Sequence, residues 1–295
     1  MKKIAILGGT GYIGKSLVHR LSLEGGFETH VFSRSKEKME EFARSIGAEG
    51  KFELHSLGEF GLHEYDAVIN CIGIGNPSVL KKDPSEIMRI TEEFDSLVIS
   101  YLEKHPETLY VNLSSGAVYG KDLDAADPKN NYALAKIHSE KLHRSLPHLN
   151  IADLRVFSFF SRFVDLNSGF MISEMIDCAR NKKPFLTSRE DIVRDYVSPE
   201  DLFALMKLLI EKGRVNDFFD VYSLKPISKS ELLEFFSTEH ALEYRFKETA
   251  DETSPTGSKN AYYSKDKKAE TLGFVPQFTS LECIRLEIDN MQNMI

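Results

Sequence analysis

The chain has few cysteines, no long apolar run and no basic excess, and each shortage excludes a class of protein. Its three cysteines, Cys71, Cys178 and Cys283, lie more than a hundred residues apart with no C-x-x-C pair. That argues against a disulfide framework or a cysteine zinc site and predicts a reducing, cytoplasmic setting. The first apolar run, 4–7, stops at Gly8-Gly9 after four residues, too short for the core of a signal peptide. Nothing elsewhere approaches the ~18 consecutive apolar residues of a membrane span, so no membrane partner is expected. Lys and Arg number 37 against 45 Asp and Glu, a net charge of −8, which argues against nucleic acid as a general partner. Gly and Pro number 18 and 10 in 295 residues, so neither a fibrous nor a disordered chain fits. What is present, 42% apolar and 28% charged residues, describes an ordinary globular protein with room for two lobes at most.

Short apolar runs at 4–7, 29–33, 52–57, 67–72, 109–114 and 151–156 read as buried strands. Amphipathic stretches at 15–24, 35–46, 84–104 and 132–145 lie between them and read as helices. Strict alternation predicts an α/β fold, a doubly wound parallel sheet of Rossmann type with right-handed crossovers. After Val156 the regularity fades, and helices are expected at 168–182, 228–238 and 279–291, with a polar loop at 251–259. One further helix is well signalled: Ser198 caps it, Pro199 starts it, Glu200 and Asp201 occupy its first turn, and Gly213 closes it. The expected division is a dinucleotide-binding domain from 1–156 and about 187–212, with a smaller substrate-binding lobe from 157–186 and 213–295.

Gly8-Gly9-Thr10-Gly11-Tyr12-Ile13-Gly14 follows the first strand and opens the first helix, the context a dinucleotide fingerprint requires. Gly8 permits a tight turn, Gly11 lets backbone approach a pyrophosphate, and Gly14 lets helix and strand pack closely. The free N–H groups of the turn, those of Tyr12 and Ile13 among them, attract phosphates at the positive helix end. At the end of the second strand an acid would bind the ribose 2′-hydroxyl, whereas an arginine accommodates a 2′-phosphate. Here the chain reads Ser33-Arg34-Ser35, with no acid. Arg34 as a bidentate fork and the two serines as hydroxyl donors therefore predict NADP(H) in preference to NAD(H).

A tyrosine and a lysine four apart share a helix face. Two such pairs occur, Tyr132…Lys136 and Tyr263…Lys267. Tyr132 begins the helix after the fifth strand, and that strand ends in Ser114-Ser115-Gly116, so hydroxyl, phenol and ammonium can converge at the carboxyl edge of the sheet. Tyr263 follows a polar stretch with no such cradle, and its pairing reads as coincidence.

These motifs resemble the extended short-chain dehydrogenase/reductases, the group acting on nucleotide-sugars as epimerases, dehydratases and ketoreductases. Gly8, Gly11 and Gly14 match its Gly-x-x-Gly-x-x-Gly, Ser114 to Gly120 match its Ser-Ser-x-x-Val-Tyr-Gly, and Tyr132 to Lys136 match its Tyr-x-x-x-Lys. Arg194-Asp195-Tyr196-Val197 and Leu272-Gly273-Phe274-Val275-Pro276 extend the likeness to nearly the whole chain. The resemblance implies that Tyr132 exchanges a proton with the reacting oxygen, that Lys136 stabilises the phenolate and binds the nicotinamide ribose, and that Ser115 orients the same oxygen. It implies that Arg194 meets the diphosphate of a nucleotide-sugar, against a structural ion pair as the plainer role, and that the chain can pair as a homodimer through helices. The chemistry agrees: phenols ionise near ~10, so such a group serves at neutral pH only beside a cation.

Departures narrow the reaction. Where sugar dehydratases carry an acidic pair, Gly116-Ala117 follow Ser115, so elimination of water is not expected. After the sixth strand Ser158 stands where many members have Asn, and takes its place as a candidate substrate contact. No His-x-x-x-His pair exists, His138, His143 and His148 are expected to be solvated, no metal site is expected, and Cys71 reads as a packing group. The expected function is NADPH-dependent reduction of a nucleotide-linked keto-sugar. Epimerisation on a retained NAD is the alternative, and a coenzyme-binding sensor a third reading that the presence of Ser115, Tyr132 and Lys136 together disfavours.

Overall fold

Ile4, Ala5, Ile6 and Leu7 are all fully buried, Ile4 and Ile6 in one apolar core and Ala5 and Leu7 in another. A strand covered on both faces divides its side chains in this way. This strand, β1 (Lys2–Leu7), is central to a seven-stranded sheet, seen in a computed structural model that describes residues 1–75, 85–120, 130–247 and 260–292. The helix start expected at 84 and the loop expected at 251–259 lie outside the described residues.

The other strands of the sheet are β2 (Phe27–Ser33), β3 (Glu53–Ser56), β4 (Ala67–Asn70), β5 (Leu109–Ser115), β6 (Ile151–Val156) and β11 (Asn216–Val221). They run in the order β11-β6-β5-β4-β1-β2-β3, all parallel. The order reverses direction between β1 and β4, and ligands of such sheets bind at the carboxyl ends beside that switch. Helices α1 (Tyr12–Leu23), α2 (Lys36–Ser45), α3 (Ser85–Leu102) and α4 (Asn131–Arg144) connect the strands, close to the stretches the sequence marks. Among the described residues no helix is long and apolar enough to cross a membrane.

Beyond β6 come β7 (Ser158–Phe159), α5 (Met171–Asn181), β8 (Phe185–Thr187), β9 (Val193–Arg194), β10 (Tyr196–Val197) and α6 (Pro199–Lys212). Helix α6 starts as its sequence predicts: Ser198 accepts from the Asp201 N–H at 3.0 Å, and Leu202, Leu205, Met206 and Leu209 join the sheet core. After β11 the chain forms β12 (Ile227–Ser228), α7 (Lys229–His240), β13 (Tyr244–Phe246), β14 (Ala261–Tyr262) and α8 (Ser280–Gln292). Helices α5, α7 and α8 close a separate apolar core around Phe160, Ile176, Phe236 and Ile284.

The seventh strand lies in the stretch from 213 that the sequence assigns to the lobe, and so do Ala269 and Phe274, which pack into the sheet core. Strand β11 reads as polar because Asn216 and Asp220 interrupt it. Both are absorbed by particular partners: Asn216 Nδ2 donates to the carbonyls of His143, Leu146 and Leu149, and Asp220 accepts from Ser264 Oγ at 2.7 Å and Tyr119 Oη at 3.0 Å.

Candidate active site

The glycine-rich turn between β1 and α1 is built as its residues require. Gly8 has φ +82°, a left-handed conformation that glycine adopts without steric cost. A Cβ on Gly14 would lie 2.2 Å from the Gly8 carbonyl oxygen, so α1 approaches the strand end as only glycine allows. Gly11 caps the helix, and a Cβ there would meet only carbonyl oxygens, at 3.2 and 3.7 Å. The turn therefore fits a pyrophosphate, held by backbone N–H groups at the helix start. Ile13 packs on the sheet core. The Tyr12 side chain turns elsewhere: its hydroxyl accepts from the Ser161 N–H at 2.8 Å and lies 3.3 Å from the Phe159 carbonyl, with the ring edge-on to Phe159. Any part it has in coenzyme binding falls to its backbone.

At the end of β2 the donor set expected for a 2′-phosphate is largely engaged. Ser33 is buried and exchanges hydrogen bonds with the Ser35 backbone, at 2.6 and 3.0 Å. Ser35 Oγ caps α2 and donates to Glu37 Oε2 at 2.8 Å. The Glu37 backbone N–H and the Ser35 hydroxyl hold that carboxyl below its usual range, so it is ionised. Arg34 remains exposed.

Strand β5 and helix α4 bring the expected catalytic groups to the carboxyl edge. Tyr132, Lys136 and Glu140 share one face of α4. Lys136 is buried and donates from Nζ to the Leu113 carbonyl at 2.7 Å. Glu140 accepts from Ser114 Oγ at 2.5 Å and from Arg155 Nη2 at 2.5 Å, and so clamps the helix to β5 and β6. Gly73 and Gly75, just past β4, lie beside these groups: a Cβ on Gly73 would sit 3.9 Å from Lys136 Nζ, and one on Gly75 4.0 Å from Tyr132 Oη. Ser115, also buried, completes the edge.

The hydroxyl of Ser115 also meets Tyr262, at 3.0 Å between oxygens, and accepts from the Ala117 N–H at 3.2 Å. The sequence gives no sign of Tyr262, which lies in the late segment that reads as coincidental. Of the Tyr263…Lys267 pair, read as coincidence, Lys267 sits over the Tyr222 ring at 3.3 Å, and it is the neighbour of Tyr263 that reaches the site. Tyr262 is carried there by β14, which pairs with β9, and burial pushes its phenol up. Phe157 packs against the Tyr262 ring at 5.2 Å and fills the space over Gly116, where a Cβ would meet it at 2.3 Å. On β9, Arg194 lies with Cζ 5.8 Å from the Tyr262 ring centre, and burial holds its guanidinium below the ordinary value. Ser158, on β7, pairs with Tyr196 of β10.

Two bland expectations resolve differently. Burial pushes the Cys71 thiol up to about 12, consistent with a packing group. His143 is fully buried instead of solvated, its Nδ1 2.9 Å from Asp153 Oδ1 and its Nε2 at an ion-pair distance of 3.4 Å from Asp95 Oδ1.

A model of the NAD dependent epimerase/dehydratase family matches residues 4–223, which contain the glycine turn, Ser115, Tyr132 and Lys136. The chain belongs to that family. This epimerase/dehydratase, an enzyme of the extended short-chain dehydrogenase/reductase type, shares its fold with solved structures along its whole length. UDP-glucuronic acid 4-epimerase from Bacillus cereus, in complex with UDP-glucuronic acid and NAD, superposes with a TM-score of 0.81 at 16% identity, over 99% of this chain and 100% of that one. UDP-N-acetylglucosamine 4-epimerase from Methanobrevibacter ruminantium M1, in complex with UDP-N-acetylmuramic acid, gives 0.82 at 17%, over 100% and 99%. dTDP-glucose 4,6-dehydratase from Bacillus anthracis, in complex with NAD, gives 0.78 at 16%, over 99% and 97%.

Proposed function

We propose that this epimerase/dehydratase is a nucleotide-sugar epimerase working on a retained NAD, which oxidises one sugar carbinol and reduces the resulting ketone from its other face. The observation that carries the reading is at the end of β2. With Ser33 and Ser35 engaged and an ionised Glu37 carboxylate 2.8 Å from Ser35 Oγ, the place for a 2′-phosphate has lost two of its expected hydroxyl donors and gained a charge of the phosphate's own sign. The reductase expected from sequence rested on NADP preference, which of those three residues now has only Arg34 behind it. The fold-level likeness to epimerases solved with UDP-sugars, one of them also with NAD, points the same way. Dehydration lacks its acid, since Gly116-Ala117 follow Ser115, and a Cβ on Gly116 would meet the Phe157 ring at 2.3 Å.

A bound nicotinamide coenzyme supplies the taking and returning of a hydride. The chain supplies the proton and the orientation. Tyr132 accepts the carbinol proton during oxidation and returns it during reduction, while the Lys136 ammonium, one turn along the same face, stabilises the phenolate. Ser115 Oγ, able to donate and accept, holds the reacting oxygen, and Arg194 is assigned the nucleotide diphosphate, which suits a guanidinium. A homodimer and a cytoplasmic setting accompany the reading.

Arg34, exposed at the strand end, favours one second reading: an NADPH-dependent keto-sugar reductase that exchanges its coenzyme every turnover. Denaturing the purified protein and identifying the released nucleotide separates the two. Near-stoichiometric NAD is expected. Protein that arrives without coenzyme and binds NADPH more tightly than NADH would replace the epimerase with the reductase.

A further inference from the structure

At the outer edge of the sheet, far along the strand order from Ser115, three imidazoles and two carboxylates meet. Glu28 and His30 are two apart on β2, and Glu53 and His55 two apart on β3, so each pair projects from one face of its strand. The register sets His30 opposite Glu53 and Phe32 opposite His55, which brings the two pairs together. His63, after the turn that follows β3, adds a third ring, and the ligating atoms of His30, His55 and His63 all lie within 4.8 Å of one another.

We propose that this cluster is a binding site for one divalent zinc-class metal ion, ligated by His30 Nδ1, His55 Nε2 and Glu53 Oε2, with His63 as the fourth ligand. For His30, His55 and Glu53 the geometry is already close. His30 Nδ1 to His55 Nε2 is 2.9 Å, His55 Nε2 to Glu53 Oε2 is 3.5 Å, and His30 Nδ1 to Glu53 Oε2 is 3.6 Å. A tetrahedral ion with bonds of about 2.0–2.1 Å has ligand–ligand edges of about 3.3–3.4 Å, so the triangle needs adjustments of a few tenths of an ångström.

The surroundings are those of a ligand set. His30 Nε2 lies 3.0 Å from Glu28 Oε1, and Glu28 in turn pairs with Lys3 Nζ at 2.8 Å. A carboxylate on the far nitrogen fixes the tautomer and leaves the Nδ1 lone pair facing the site, the arrangement that orients metal-bound histidines. His30 is buried whereas the Glu53 side chain is 61% exposed, so the ion has a fixed floor and an entry route. Three imidazoles with one carboxylate suit zinc, nickel or copper over magnesium or calcium. Sequence spacing does not reveal the set, because residues 30, 53, 55 and 63 are joined only by strand register.

Strand β3 pairs only with β2 in this sheet, so an ion here pins an edge strand to the strand that ends in Ser33-Arg34. The expected effect is on stability, with turnover unchanged, since none of the ligands lies at Ser115, Tyr132 or Lys136. The test uses untagged full-length protein stripped with a chelator and titrated with Co²⁺, then with Zn²⁺. One equivalent of Co²⁺ should give the visible absorption of a four-coordinate ion, Zn²⁺ should displace it, and Zn²⁺ should raise the melting temperature. His55→Ala should abolish the band, and Glu53→Gln, at an exposed position that leaves folding intact, should weaken binding at least about tenfold. Absence of the band, or equal binding by wild type and both variants, would overturn the site.

Discussion

Replacing Tyr132 by Phe removes one hydroxyl and leaves the helix face that carries Lys136 and Glu140. Turnover should fall by ~10²–10⁴ while coenzyme binding, read by fluorescence titration, persists. Tyr262→Phe takes away the phenol that meets Ser115 Oγ at 3.0 Å, and kcat should drop by roughly fivefold, the worth of about 1 kcal/mol of hydrogen bonding. Tyr263→Phe should change kcat by less than either. The difference between neighbours 262 and 263 marks the limit of sequence reading. Ser115, Tyr132, Lys136 and the three glycines are legible because their chemistry depends on local spacing, on one strand end, one helix face or one turn. The contact of Tyr262 with Ser115 spans 147 residues and depends on β14 pairing with β9, which no local pattern encodes.

At the scale of elements, α4 is held where it is by ion pairs and not by its apolar face alone. Glu140 is buried with Arg155, whose guanidinium also donates to Tyr119 Oη at 2.8 Å and stacks on Phe218 at 3.5 Å. Glu140→Ala leaves that guanidinium buried without its carboxylate, a change that costs about 3–5 kcal/mol in comparable pairs. Urea denaturation should show a loss of this size, and activity measured well below the midpoint should fall as well, because Glu140 aligns the helix face of Tyr132 and Lys136 with Ser114. A loss under 1 kcal/mol would mean that the apolar contacts of α4 suffice. Strand β11 illustrates the opposite side of legibility: its polar residues hide it in a window of sequence, although each is satisfied by a partner on another element.

Across the whole molecule, the buried chain Asp153–His143–Asp95 ties β6, α4 and α3 together. Burial alone would lower the His143 value, but the carboxylates of Asp153 and Asp95 outweigh it and raise the imidazole from 6.5 to about 9. A group raised on folding contributes stability that is fully present below the unfolded value and lost as pH climbs through the folded one. Stability should therefore fall between about pH 6.5 and 9, by on the order of 2–3 kcal/mol, and His143→Gln should flatten that slope. An unchanged slope in the variant would assign the alkaline loss to other groups.

The alternation of strand and helix that fixes the sheet was readable throughout the first half of the chain, because a parallel sheet covered on both faces demands continuous apolar runs. The lobe was not, since its short strands carry no period. Catalysis is expected where the two meet, and the central feature of the proposed epimerisation is the absence of net redox change. The decisive measurement supplies single UDP-sugars to the purified enzyme and follows both the sugar by NMR and the absorbance of reduced coenzyme. Interconversion of two nucleotide-sugars that differ in configuration at one carbon, with no net change in that absorbance, is the predicted result. Consumption of NADPH in proportion to a supplied keto-sugar nucleotide, with no epimer formed, would contradict it.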